Sequence, residues 1–338
     1  MVAVFLLIAA LGLTYVKWWP YFFKALTAAD TQSIGKSILG DPIANGGASA
    51  WSDAVEYVKV YFKSVWKAAV LGILLGSLVQ VLIPMRWLLR LFGKSNFASV
   101  VCGGLVSLPG MMCSCCAAPI AVGLRRKNAS VGAALAFWIG NPLLNPATLV
   151  FMAFVLSWKF VVLRIVFGIL LTLGIGYIAN RMMRGEEAAA LPADLQMAVP
   201  FAPDSTAGPF WSRWMRSLGS MLIHVVPTYL IAVLLLGAMK VWLFPLSTGS
   251  GVVMLLLFAV IGSLFVIPTA AEIPIIQSFL LAGIAVGPTA ALLVTLPAVS
   301  LPSLLMVFRS FPRKILLLVL GAVIAGGVAC GLVGAVWI

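Results

Sequence analysis

Apolar residues run through the chain in long stretches, at about 2–16, 64–84, 129–157, 160–180, 217–239, 288–308 and 315–337. A helix needs about 20 mostly apolar residues to cross the hydrocarbon core of a bilayer, so these runs predict transmembrane helices. The first run looks like a signal sequence. However, no basic stretch precedes it, and Lys17-Trp18-Trp19-Pro20 reads as an interfacial stop, which predicts a retained anchor over 1–26. Residues 27–50 are rich in Gly, Ser, Asp and Asn and predict a solvated loop. A second polar stretch, 185–210, holds Glu186, Glu187, Asp194 and Asp204 among several prolines. It predicts a cytoplasmic linker between two halves, 51–184 and 211–338.

Two segments, 96–124 and 252–284, fit no simple span. Each starts apolar, breaks at proline-rich polar sequence and then resumes briefly. Basic residues flank the first on both sides: Arg86, Arg90 and Lys94 before it, and Arg125, Arg126 and Lys127 after it. A segment that folds back to its starting side keeps both clusters in the cytoplasm, as the positive-inside rule prefers. The same orientation puts Arg181, Arg184, Arg213, Arg216, Arg309, Arg313 and Lys314 inside, and leaves Lys17, Lys24, Lys36, Lys59, Lys63 and Lys67 on the outer side. Short uncharged outer loops at 243–251 and 283–287 agree with it. The expectation is an inside N-terminus, an outside C-terminus and two re-entrant or broken-helix hairpins.

The two odd segments match each other in spacing. Gly103 precedes Pro109 as Gly262 precedes Pro268, with Leu105 and Leu264 in register. Pro119, Gly132 and Pro142 are spaced as Pro274, Gly287 and Pro297 are. Only the stretch between the prolines of each break differs in length. With the topology above, the copies enter the membrane from opposite sides. Inverted repeats with paired interrupted helices are an architecture of secondary transporters, whose sites lie at the repeat interface near the midplane.

Composition narrows the class further. Of 338 residues, 63% are hydrophobic and 9% charged, and the mean hydropathy is +1.14. Soluble domains carry about 25% charged residues, so these values exclude a soluble enzyme, a nucleic-acid-binding protein and a disordered chain. The net charge of +13 is accounted for first by orientation rather than by an anionic partner.

The residues able to carry chemistry gather at the breaks. The first reads Pro109-Gly-Met-Met-Cys113-Ser-Cys115-Cys116-Ala-Ala-Pro119. A helical path puts Cys113 and Cys116 on one face, and an extended path pairs Cys113 with Cys115. Either pairing suits a soft metal or metalloid, such as Cu(I), zinc or trivalent arsenic. Cys102 and Cys330, alone in apolar runs, read as packing. The second break reads Ile267-Pro268-Thr269-Ala-Ala-Glu272-Ile-Pro274. A carboxylate at membrane depth costs about 2.5–3.5 kcal/mol even on the insertion scale, so Glu272 is a functional candidate. Desolvation favours its neutral form, which makes it a candidate for proton coupling. Thr269 and Gln277 are expected to line the same cavity. Asn141-Pro142-Leu-Leu-Asn145-Pro146 puts two asparagines on one helix face, and each proline frees a carbonyl four residues earlier. Pro297-Ala-Val-Ser300-Leu-Pro302-Ser303 is its counterpart. His224, the sole histidine, is a further proton-coupling candidate. Gly35-Lys36-Ser37 and Gly93-Lys94-Ser95 end like a P-loop but lack its first glycine.

Pro109-x3-Cys113-Ser-Cys115 with Pro119, Gly-Leu-Arg125-Arg126, Gly132-Ala-Ala-Leu-Ala-Phe and Asn141-Pro-Leu-Leu-Asn145-Pro together resemble the predicted-permease family, over about residues 55–335. That family includes bacterial organoarsenical efflux permeases and YraQ-type permeases. Ile267-Pro-Thr-Ala-Ala-Glu272-Ile-Pro-Ile-Ile-Gln277 and Leu-Pro297-Ala-Val-Ser-Leu-Pro-Ser resemble the YraQ-type branch more closely. The resemblance implies an inner-membrane permease with Cys113 and Cys115 suited to a soft metalloid. Two departures are Cys116, where glycine is expected, and Glu272, where another cysteine motif is expected.

The sequence therefore predicts an all-α polytopic membrane protein of two inverted-topology repeats, each with a re-entrant or broken-helix hairpin, plus an extra N-terminal helix. The expected function is secondary transport, namely proton-coupled export of a small thiophilic solute such as a trivalent or organic arsenical. The rivals are a membrane thiol-disulfide oxidoreductase and a permease for a sulfur-containing anion, with Arg164 or half-helix N-termini holding the charge. No cofactor and no nucleic acid is expected. Partners are the lipid bilayer and a small-molecule or metalloid substrate, and the sequence admits a homo-oligomer.

Overall fold

The structure, a computed structural model, describes residues 2–35, 50–82, 85–93, 95–187, 210–243 and 251–338. The loop at 36–49, the linker at 188–209, the outer loop at 244–250, and the side chain of His224 lie outside the described residues. Every regular element among the described residues is helical. That follows from the composition: no water is available in the bilayer core to satisfy a backbone N–H or C=O, and a helix closes its own hydrogen bonds. Among the described residues, six segments are long and apolar enough to cross a membrane: Ala3–Thr31, Val55–Val79, Val131–Val155, Trp158–Met183, Val286–Val307 and Arg313–Trp337. The expected span at 217–239 falls inside a 34-residue helix, Phe210–Leu243.

The N-terminal region departs from expectation. Helix α1 (Val2–Leu13) does not stop at Lys17; it passes through one wide π turn, Thr14–Trp18, into α2 (Trp19–Thr31). The reason lies in Pro20, which has no N–H to give a helical turn. The π turn lets Trp19 N–H bond Thr14 O, and the proline then sits in the first turn of α2, where no donor is needed. The polar stretch expected as a loop from residue 27 thus begins five residues late, after Thr31.

The first half continues with α3 (Ala50–Leu82), the short α4 (Met85–Phe92), α5 (Phe97–Ser107), a tight turn at Leu108–Gly110, α6 (Ser114–Arg126), α7 (Val131–Leu143), α8 (Pro146–Val155) and α9 (Trp158–Glu187). The second half runs α10 (Phe210–Leu243), α11 (Val252–Leu264), α12 (Glu272–Leu281), α13 (Val286–Ala298), α14 (Leu301–Val307) and α15 (Arg313–Trp337). Both segments that fit no simple span are pairs of short helices around an irregular break. The spans at 131–155 and 286–307 are each two helices, interrupted before Pro146 and before Leu301-Pro302.

Packing places these interruptions at the centre. In each half the kinked pair lies between the short helix and the long final helix: α7 packs on α5, α6 and α9, and α13 on α11, α12 and α15. The halves join where α3 meets α10 and where α9 meets α13 and α15. Every residue of α7 is buried, and every residue of α13 after Val286. Leu170 of α9 and Leu317 and Val336 of α15 face outward, as a lipid-covered rim requires. Gly103 of α5 approaches α7 so closely that an added Cβ would meet Ala133 O at 2.3 Å, and a Cβ added at Gly262 of α11 would meet Thr295 Oγ1 of α13 at the same distance. The matched glycines mark matched close approaches.

Candidate functional site

The two breaks, far apart in sequence, face one small cavity. Its lining includes Met112, Cys113, Ser114 and Thr148 from the first half and Thr269, Ala270 and Glu272 from the second. The space is about 10 Å³, enough for one water-sized molecule. Both breaks carry a non-glycine residue in the left-handed region, Met111 at φ 48° and Ala270 at φ 70°. That conformation costs about 1–3 kcal/mol per residue and persists only where surrounding contacts enforce it.

Those contacts are specific. Asn141 Oδ1 accepts the Met112 N–H at 2.8 Å, and Trp138 Nε1 donates to Ser114 O at 2.9 Å. Gly110 leaves room for this, since a Cβ there would sit 2.6 Å from Asn141 Nδ2. The Tyr57 hydroxyl of α3 donates to Val266 O in the second break. The N-terminal helix reaches both breaks: Trp18 Nε1 donates to Pro109 O at 2.9 Å, and Lys17 Nζ donates to Thr269 Oγ1 at 3.0 Å.

Cys113 caps the N-terminus of α6 with extended backbone, and Cys116 lies one turn on, so their sulfur atoms meet at 3.1 Å. Both are free thiols, buried. This is the helical pairing of the two the sequence left open. Cys115 turns the other way, its sulfur 3.1 Å from Ser300 Oγ. The three thiols therefore do not form one ligand set, and among the described residues no three His, Cys, Asp or Glu side chains converge on a metal position.

Glu272, the first residue of α12, is 2% exposed, and Arg164 of α9 is fully buried. Arg164 Nη2 donates to Glu272 Oε1 at 2.8 Å. The other bonds of this guanidinium follow from two prolines. Pro146 and Pro297 have no N–H, so Pro142 O and Leu293 O, four residues before each, lack a helical donor. Arg164 supplies both, from Nη2 at 2.8 Å and Nη1 at 3.0 Å, while Nε reaches Leu143 O at 3.0 Å. One cation thus fills the gap in the kinked helix of each half and holds the acid between them. Glu272 Oε2 and Thr148 Oγ1 are buried without a hydrogen-bond partner among the described residues.

Several expectations need correction. Asn141 and Asn145 do not share a helix face. Pro146 ends α7, so Asn145 leaves the helix and caps α8, accepting the Ala147 and Thr148 N–H groups at 3.0 and 3.3 Å. Neither asparagine lines the cavity. Gln277 lies further along α12, half-buried and away from the cavity lining, because the helix carries its side chain past the break. His224 lies on α10 with its side chain outside the described residues. Lys17, expected as an interfacial stop, is instead 4% exposed and directed at the second break. The signal was a lone lysine flanked by apolar sequence on both sides. Arg164, a lone cation in an apolar run, carried the same signal and called for the one acid available at that depth.

A family model described as a predicted permease matches residues 51–336. The chain is 51% identical to the UPF0718 protein YraQ of Escherichia coli over 332 residues, covering 97% of this chain and 93% of that protein. It is 23% identical over 336 residues to the UPF0718 protein MJ0584 of Methanocaldococcus jannaschii, with 80% of this chain and 91% of that protein covered. The UPF0718 protein YcgR of Bacillus subtilis is 24% identical over 263 residues, covering 74% of this chain and 86% of that protein. No solved structure matches the chain. On a match spanning most of its length and an all-helical, multi-pass architecture, the chain belongs to the predicted-permease family.

Proposed function

We propose that the protein is a secondary transporter of the cytoplasmic membrane, exporting a small thiophilic solute in exchange for protons. The observation that carries this reading is the meeting of two helix breaks on one cavity, with Cys113 from one and Glu272 from the other in its lining. In this account the halves 51–184 and 211–338 are inverted repeats whose short-helix pairs are re-entrant. The matched element order, the matched glycine approaches and the N-caps Asn145 and Ser300 support it. Substrate sits at the repeat interface, where interrupted helices free polar backbone for binding.

Two roles divide the site. Cys113 and Cys116, 3.1 Å apart, ligate a soft centre such as trivalent arsenic. Glu272 exchanges the proton. When ionised it holds Arg164, which in turn holds carbonyls from both kinked helices. When it is protonated that charge pairing is lost and the halves are freer to rock. Substrate and proton thus act on the same contact between repeats. A thiol-disulfide relay is disfavoured, because the second break offers Thr269 and Glu272 where a partner cysteine is required.

The test is binding of phenylarsine oxide, a neutral trivalent arsenical, to the purified chain. The expected result is one equivalent bound, with Cys113 and Cys116 protected from alkylation in a mass-spectrometric readout. Unchanged binding by a Cys113→Ser/Cys116→Ser variant overturns thiol ligation.

A further inference from the structure

Lys17 is buried on a helix that is exposed along most of its length. Leu13, Lys17 and Ala28 are the residues of Val2–Thr31 described as buried. A lysine near the edge of a membrane protein ordinarily snorkels its ammonium to water, yet this one turns inward. Its partners are two neutral hydroxyls, Tyr21 Oη at 3.1 Å and Thr269 Oγ1 at 3.0 Å. No described carboxylate pairs with it, and Glu272 is taken by Arg164. The Thr269 hydroxyl that receives the ammonium lines the same cavity as Cys113 and Glu272. Among the described residues the site thus holds two buried cations and one acid, an excess of positive charge in a low-dielectric setting that a bound anion relieves.

We propose that Lys17 is a substrate-binding residue, supplied by a helix that precedes the matched family region, and that it selects for a thiophilic solute carrying a negative charge. The soft centre lies against Cys113 and Cys116, and the anionic group against Lys17 and the Thr269 hydroxyl. This inference rests on the thiol reading above for the soft centre, but the charge selection is tested separately.

The test is calorimetric titration of the full-length chain in detergent with phenylarsine oxide and with its 4-carboxy derivative, which differs only by an anionic group. The wild-type chain is expected to bind the carboxylated probe at least tenfold more tightly. In Lys17→Met the ratio of the two affinities falls to about one, and in Lys17→Arg the preference persists. Because the readout is a ratio within one preparation, partial loss of folded protein does not mimic it. Equal wild-type affinities, or a preference that survives in Lys17→Met, overturns the inference. If the thiols bind neither arsenical, the thiol reading fails, and titration with thiosulfate then decides the charge subsite. Binding that Lys17→Met abolishes upholds it, and binding that is absent or independent of Lys17 overturns it.

Discussion

Arg164 serves three carbonyls and one carboxylate at once, a geometry that a flat guanidinium fork meets and an ammonium does not. Removing one partner of a buried ion pair costs about 3–5 kcal/mol, because the other charge stays buried and unpaired. Arg164→Leu should therefore lower the melting temperature of the detergent-solubilised protein strongly. Glu272→Gln should lower it less, since the guanidinium keeps its carbonyl acceptors. Arg164→Lys should fall near the leucine variant despite its charge. Equal melting temperatures for the wild type and Arg164→Leu would remove the clamp from the account. The need for such a pair was legible in the sequence, where a lone arginine and a lone glutamate stand in apolar surroundings. Their contact was not legible, because 108 residues separate them and only the folded kinked helices bring them together.

At the scale of elements, prolines and caps were the readable features. The prolines of 131–155 and 286–307 predicted freed carbonyls, and both Pro142 O and Leu293 O are found bonded to one side chain. What the pattern did not reveal is that Pro146 ends its helix and turns Asn145 from a face residue into a cap. Loss of an N-cap costs about 0.5–2 kcal/mol. Asn145→Ala and Ser300→Ala should each destabilise the protein by that amount in thermal or denaturant unfolding. The breaks themselves store strain at Met111 and Ala270. Glycine adopts that conformation freely, so Ala270→Gly should stabilise the fold by about 1 kcal/mol. A loss of stability on that change would show that the backbone there is not strained.

For the whole molecule, hydropathy sufficed for class and most spans, because a bilayer imposes a length that sequence displays directly. It failed at the N-terminus, where a π turn absorbs Pro20 and carries the helix onward with Lys17 turned inward. A pattern along one chain does not say which side of a helix finds a partner. The proposed inverted arrangement makes its own prediction. Asn128, after α6, and Ala282, after α12, are both exposed and should lie on opposite sides of the membrane. In cells, an impermeant maleimide should label Ala282→Cys from outside and Asn128→Cys only after permeabilisation. Labelling of both from the same side would exclude inverted repeats.

The most direct test of the central claim, one site built from both breaks, is transport in everted membrane vesicles with an acidic interior. Phenylarsine oxide accumulation should be accelerated by the proton gradient in the wild type. It should be lost in Cys113→Ser/Cys116→Ser and reduced to gradient-independent equilibration in Glu272→Gln. Gradient-driven accumulation that survives in both variants would contradict the account.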